Sequence, residues 1–223
     1  MTLAPAVWLS VLGAMSVGLA YYLFVLLPAS EEQRLEGAVR AFGRAVELRF
    51  PNHAGLTEVV ARLARRVASR LGLRAARIRQ VEMTARLRDI GLCAIPYRLV
   101  NRRPWGDWTL SETATYDCHP EVGGAILETI PLLNEYAEGV RQHHAPFAPD
   151  LDVPDRRSPR LEARIVKVCA EFVWYSRHLG EATALSHLRS GIGTLYDPLV
   201  AHEMLRIARE AGPFEKAVTS SSN

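Results

Sequence analysis

The sequence predicts an all-α protein, a helical bundle behind an N-terminal transmembrane helix. Three observations predict it. The first charged side chain is Glu31, so a long uncharged segment leads the chain. After residue 30 no run shows the period of two that a half-buried strand needs. Apolar residues recur instead at helical spacing, as in Val59, Leu63, Val67 and Leu71, with Arg62, Arg65, Arg66 and Arg70 mostly on the other side.

The leading segment from Pro5 to Pro28 is long enough to cross a bilayer, since a core about 30 Å thick needs roughly 20 helical residues. Gly13, Ala14, Ser16 and Gly18 are small enough to let a neighbouring helix approach. Trp8 and the Tyr21–Tyr22 pair suit the two interfaces. A cleaved signal peptide is the rival reading: Pro28-Ala29-Ser30 imitates a cleavage site, but no Lys or Arg precedes the apolar run. Arg34, Arg40, Arg44 and Arg49 follow the span and none precedes it, which places the C-terminal part in the cytoplasm. The expected location is the cell inner membrane, single-pass.

Ser30 with Gln33 reads as a capping box opening a helix to about Phe50, ended by Pro51. The helix through Val59 to Leu71 closes at Gly72. Another runs from about Ala75 to Ile90. Residues 93–110, with Pro96, Pro104 and Gly106, read as a loop. Short helices follow around Ser111–Thr115, His119–Thr129 and Pro131–His144. Residues 145–159 hold Pro146, Pro149, Pro154 and Pro159 and read as irregular. Leu161, Ile165, Val168, Phe172 and Tyr175 mark a long helix, and helices over 181–190 and 197–211 close the fold. The expected organisation is an anchor (1–29), a juxtamembrane helix (30–52), a helical domain (53–212) and a tail (213–223).

Composition narrows the function. With 48% hydrophobic and 23% charged residues, the chain is neither disordered nor a many-pass membrane protein. A net charge of +3 is too small to argue for nucleic acid. Cys93, Cys118 and Cys169 are sparse and unpaired in spacing, which fits a reducing compartment. Gly-rich phosphate loops and the nucleophile-elbow motif are both missing.

The chemistry-bearing residues are Asp89, His119, His143 and His144. Imidazoles and a carboxylate together suit a divalent metal, and bundle helices can point them inward. On spacing alone the signal is weak, and surface or helix-cap residues are the default reading. Their sequence context adds a resemblance. Arg88-Asp89-Ile90-Gly91, Ile95-Pro96, Leu99-Val100, Leu110-Ser111-Glu112, His119-Pro120-Glu121-Val122-Gly123, His143-His144, Arg164-Ile165-Val166 and Tyr196-Asp197-Pro198 follow one another in order. From Leu56 to Ile207 the chain thus resembles the HD-GYP branch of the HD phosphohydrolase superfamily. That resemblance implies an all-α HD-type bundle, two or three bound metals and hydrolysis of cyclic di-GMP.

Departures from the pattern shape the expectation. Arg88 stands where the family has the His of its His-Asp pair, and Leu92 where it has Lys. Leu56 and Ala170 align with the first and last metal ligands, with His53 three residues from the first and Glu171 beside the last. Ala145-Pro146-Phe147-Ala148-Pro149 replaces the Gly-Tyr-Pro loop. A permanent guanidinium repels a metal ion and cannot become a ligand. The sequence therefore reads as a degenerate domain with no catalytic residue and a vestigial set, Asp89, His119, His143 and His144, for at most a single divalent metal. Arg88 could itself neutralise Asp89 as a buried ion pair; the main expectation is that His119, His143 or His144 satisfies Asp89 while Arg88 folds over the pocket mouth or reaches outward. Cofactors are expected to be none, or that one ion.

Two functions remain open. One is a non-catalytic pseudoenzyme serving as an accessory or structural subunit of a larger membrane complex, reached through the transmembrane helix and the cytoplasmic domain. The other is a signalling module that binds a cyclic dinucleotide or another phosphate ligand through Arg88, Arg98, Arg102 and Arg103, or a single-metal phosphohydrolase. Trp105 and Trp108 read as a partner surface or as loop anchors. The Arg face of residues 62–70 reads as solvated, or as facing anionic lipid or an acidic partner. His178, His187 and His202 read as ordinary surface or core histidines. The expected partners are the bilayer and a membrane complex, not nucleic acid. After an alkaline carbonate wash the protein is expected to stay in the membrane pellet; a soluble mature chain starting near Ser30 would refute the anchor.

Overall fold

A computed structural model describes residues 3–102, 107–148 and 158–211. It separates the chain into a unit up to Ala41 and a unit from Phe42 onward. Among the described residues every regular element is a helix, and the only β pairing is an isolated bridge between Ile192 and Tyr196.

The first unit contains α1 (Leu3–Tyr21) and a π-helical turn over Tyr22–Leu26, and α2 (Leu27–Arg49) starts within it. In the π turn the Leu27 N–H reaches back five residues to the Tyr22 carbonyl. The widened turn lies just ahead of Pro28, whose ring has no N–H to offer and crowds the carbonyl four residues earlier. The side chains from Val7 to Leu26 are exposed, and the most apolar window has a mean hydropathy of 1.9. This helix is long and apolar enough to cross a membrane. The expected capping box at Ser30 is not formed, because the helix is already under way at Leu27. Ser30 Oγ instead donates to the Leu27 carbonyl at 2.9 Å.

The second unit begins with the last turns of α2 and packs around α3 (Leu56–Arg70), α4 (Ala75–Leu87), α9 (Leu161–Leu179), α10 (Glu181–Ser190) and α11 (Pro198–Ala211). Val60, Val67, Ile165, Phe172, Val200 and Met204 form the centre of this core. Each fully buried aliphatic side chain stabilises it by about 1.5–3 kcal/mol. No side chain caps α3 at Gly55, so Glu47 of α2 accepts from the Thr57 N–H at 2.9 Å. The Arg face of α3 stays exposed and is partly answered within the chain: Arg65 pairs with Glu82 at 2.9 Å, and Arg66 and Arg70 pair with Glu210.

A second, smaller cluster carries the site. Val46, Phe50, Leu92, Ile95, Leu99, Val100 and Tyr116 pack together. They hold a 3-10 turn (Ile90–Ala94), α5 (Tyr97–Arg102) and α6 (Leu110–Asp117). The stretch expected to be a loop is therefore partly helical. Ile95 is extended ahead of Pro96, and α5 starts immediately after that proline. A capping box sits at Thr109 and Glu112. α7 (His119–Glu128) and α8 (Asn134–Arg141) form the adjoining hairpin. Cys93 and Cys118 are exposed and Cys169 is buried. Trp105, Arg103, the Arg102 side chain, Pro149, Pro154 and the 213–223 tail lie outside the described residues.

One close approach locks the hairpin to the 3-10 turn. A Cβ at Gly91 would lie 1.9 Å from the His119 carbonyl oxygen and 2.6 Å from the Gly123 nitrogen. Both obstacles are backbone, so neither can swing aside. Gly91→Ala is expected to destabilise the fold by about 2–4 kcal/mol, the upper range for overpacking, read as a lower urea midpoint at unchanged slope.

Candidate metal site

Three histidines meet at the start of α7 and the end of α8. His119 is the first residue of α7, and His143 and His144 follow α8 in a turn. Their ring centroids lie 5.2 Å (His119–His143), 5.1 Å (His119–His144) and 4.1 Å (His143–His144) apart. One nitrogen from each lies within 4.8 Å of the others. Nitrogens on one tetrahedral zinc stand about 3.4 Å apart, so small ring rotations close the set.

The backbone fixes the tautomers. His119 Nδ1 lies 2.8 Å from the Tyr116 carbonyl, and His143 Nδ1 lies 2.6 Å from the Val140 carbonyl. A carbonyl only accepts, so each Nδ1 carries the proton and donates it. The lone pair is left on Nε2. In both residues this Nε2 is buried and has no hydrogen-bond partner. Such orphaned nitrogens are what a cation would satisfy.

The electrostatics keep the trio neutral. Burial, then the His144 and His119 rings, hold His143 well below the usual imidazole range. Burial lowers His119 despite the attraction of Asp89. His144 sits at the rim with part of its surface in solvent. The protein packed around its ring, then His119, lower it to about 4. Neutral imidazole is the ligand form, so no proton has to be displaced near pH 7. The three residues fit a single divalent ion. Lys167 steadies the rim: its Nζ donates to the His144 carbonyl at 3.0 Å and to Glu171 at 2.6 Å. Glu171 also accepts from the Tyr196 hydroxyl and lies 3.6 Å from His187.

Asp89 stands outside the trio. Arg88 Nη2 lies 2.7 Å from Asp89 Oδ2, while Arg88 Nη1 donates to the Ala85 carbonyl at 2.8 Å. Arg88 is only 4% exposed. The main expectation, Asp89 satisfied by the histidines with Arg88 over the pocket mouth or outward, is thus corrected, and the alternative of a buried Arg88–Asp89 ion pair is what the structure shows. The 100° offset between neighbours applies inside a helix, and α4 has ended by Leu87, so the long side chain curls back onto the next residue. Burial would raise Asp89, but Arg88 first and His53 next hold its carboxyl well below the ordinary range.

His53 is the residue that sequence reasoning did not bring into the site. The 3-10 turn Pro51–His53 and the left-handed Gly55 (φ 75°) reposition it ahead of α3. Its ring packs on Phe50 and Trp174, its Nδ1 lies 3.9 Å from Asp89 Oδ2, and its Nε2 is buried without a partner. Leu56 lies in the main core and Ala170 packs against it. Arg98 is exposed, as are His178 and His202, which bond to their own helices. His187 stacks on Tyr175. Trp108 packs on Tyr116.

Comparison with known proteins places this arrangement. The HD-domain family matches residues 40–200 of the sequence. The chain belongs to the HD-domain family. It is 30% identical over 187 residues to the cyclic di-GMP phosphodiesterase response regulator RpfG of Xanthomonas campestris pv. campestris (strain 8004), covering 78% of this chain and 48% of that protein. The HD chain thus spans about half the length of that relative. It superposes on Bd1817, an HDG"Y"P protein from Bdellovibrio bacteriovorus, with a TM-score of 0.55 and 17% identity, over 68% of this chain and 50% of that one. At that identity the likeness concerns the fold, which is HD-type and all-α as expected.

These matches correct one expectation. The reading as a pseudoenzyme was built on the departures at Leu56, Arg88 and Ala170. It is overturned by the HD-domain match and by similarity to a protein named as a phosphodiesterase, which point to phosphohydrolase chemistry. Neither match supports an accessory role in a membrane complex.

The Arg88–Asp89 pair generates a stability prediction for the metal-free protein. Asp89→Asn leaves a buried guanidinium uncompensated and is expected to cost about 3 kcal/mol at pH 7. A carboxyl depressed below its ordinary value of 3.8 contributes stability above that pH and loses it as pH falls. The gap between wild type and variant, measured by urea titration, is therefore expected to narrow below about pH 4.

Proposed function

We propose that this chain is a metal-dependent phosphohydrolase of the HD type, a signalling domain that acts on a phosphodiester of the cyclic-dinucleotide class. The observation that carries the proposal is the pair of buried, unpartnered Nε2 atoms of His119 and His143, with His144 beside them. The substrate class is drawn from the relative named as a cyclic di-GMP phosphodiesterase.

These three histidines would hold a divalent ion, which when bound would supply Lewis-acid polarisation of a phosphoryl oxygen and lower the pKa of water near it. The protein's own part is orientation. The Tyr116 and Val140 carbonyls fix two imidazoles in the ligand tautomer. Lys167 pins the backbone of the third through the His144 carbonyl. His144 lies at the solvent edge, so a substrate reaches the site from that side. Tyr116 is held as a neutral phenol by burial and by Asp89, so it can donate a proton in a hydrogen bond but does not ionise near pH 7. We further propose that α1 and the π turn hold the domain at a membrane, with the bilayer as its standing partner.

The test uses the full chain in mild detergent, cyclic di-GMP as substrate, and added manganese, iron or zinc. Metal-dependent opening of the phosphodiester is expected. His119→Ala or His143→Ala is expected to lower it by more than about a hundredfold while the far-ultraviolet helix signal is kept. Absence of turnover with every one of these metals would overturn the proposal.

A further inference from the structure

Next to the three histidines lies a second group of cation-binding atoms, and it already holds a cation. Asp89 Oδ2 is the shared point: Arg88 Nη2 lies 2.7 Å from it and His53 Nδ1 lies 3.9 Å from it. All three side chains are buried. A carboxylate and an imidazole that converge in a buried place form a donor set for a divalent ion. The second nitrogen of His53 has no partner, so this imidazole is not committed to the core by hydrogen bonding. The guanidinium is committed: one Nη holds Asp89 and the other holds the Ala85 carbonyl.

We infer that the Arg88 guanidinium is a built-in cation that occupies a second, latent metal position formed by Asp89 and His53, and so limits the site to one metal ion. The inference rests on the single-metal reading of His119, His143 and His144 and adds a stoichiometry to it. Two features make Arg88 a plug rather than a ligand. Guanidinium keeps its proton at every physiological pH, so it never offers a lone pair. Its charge is fixed in a buried setting, where repulsion of an incoming ion is weakly screened. Asp89 is thereby neutralised without metal, and the three-histidine position is left with neutral ligands only, a set suited to zinc or cobalt rather than to magnesium or calcium.

The experiment counts cobalt(II) on the full chain in detergent, stripped with chelator, reloaded and desalted, with the visible ligand-field bands as a second readout. Wild type is expected to retain one equivalent. Arg88→His removes the plug and supplies an imidazole, and is expected to retain two. Adding His53→Ala to that variant is expected to return it to one. One equivalent in both wild type and Arg88→His, with equal melting temperatures, overturns the inference, as do two equivalents in wild type. No cobalt in wild type overturns the three-histidine reading on which the inference rests. Should Arg88→His not fold, Arg88→Gln decides: loss of the fixed charge is expected to tighten the one cobalt site roughly tenfold or more, and unchanged affinity overturns the inference.

Discussion

Backbone meets backbone where the Ile90–Ala94 turn crosses the start of α7, and the site depends on that contact. Gly91 lies so close to the His119 carbonyl that no side chain fits between them. The approach sets the distance between two polar clusters: Asp89 with Arg88 and His53 on one side, and the three histidines on the other. It also presses α7 into place, where His119 Nδ1 meets the Tyr116 carbonyl and its Nε2 stays buried without a partner. The small cluster around Phe50, Leu92 and Tyr116 backs the turn from behind. Removing water from that contact also makes the nearby electrostatics strong, because charges there interact through protein rather than solvent.

Charge is handled in two ways within a few residues. The histidines are kept neutral by burial and by one another. Arg88 and Asp89 are kept charged and matched. A buried pair of this kind gains little net stability over a hydrophobic pair, yet breaking it is costly. Here it holds Asp89 to Arg88, apart from the three histidines.

Helical periodicity made most of the main core legible in the sequence. The spacing of Val59, Leu63 and Val67, and of Leu161, Ile165, Val168 and Phe172, survives as α3 and α9, because one apolar stripe per helix is what the core requires. The HD-type resemblance, carried by ordered motifs, was legible for the same stretch. Most short helices were legible too, but two short elements were not. α5 was hidden by Pro96, and the π turn over Tyr22–Leu26 leaves no composition signal apart from Pro28. His53, which sequence reading would bring in only through a slipped helix start, stayed outside the expected site because a 3-10 turn and a left-handed glycine move it by an amount no regular period foretells. The Arg88–Asp89 pair was one of two readings, and the choice between them depends on α4 stopping at Leu87. The functional reading erred by weighing substituted positions above the surviving lone pairs, which are visible only once the Nδ1 partners are known.

The three cysteines differ in reach, and this gives the protein an intrinsic means of observation. Cys169 is enclosed by the main core, where burial pushes its thiol up and leaves it unreactive at neutral pH. Cys93 and Cys118 are open to solvent, one in the turn that follows Asp89 and the other immediately before His119. A maleimide fluorophore or spin label would thus attach on either side of the Gly91 contact without any engineered residue. The separation between the two labels would report, in solution, whether the turn and α7 move against each other when the site is loaded.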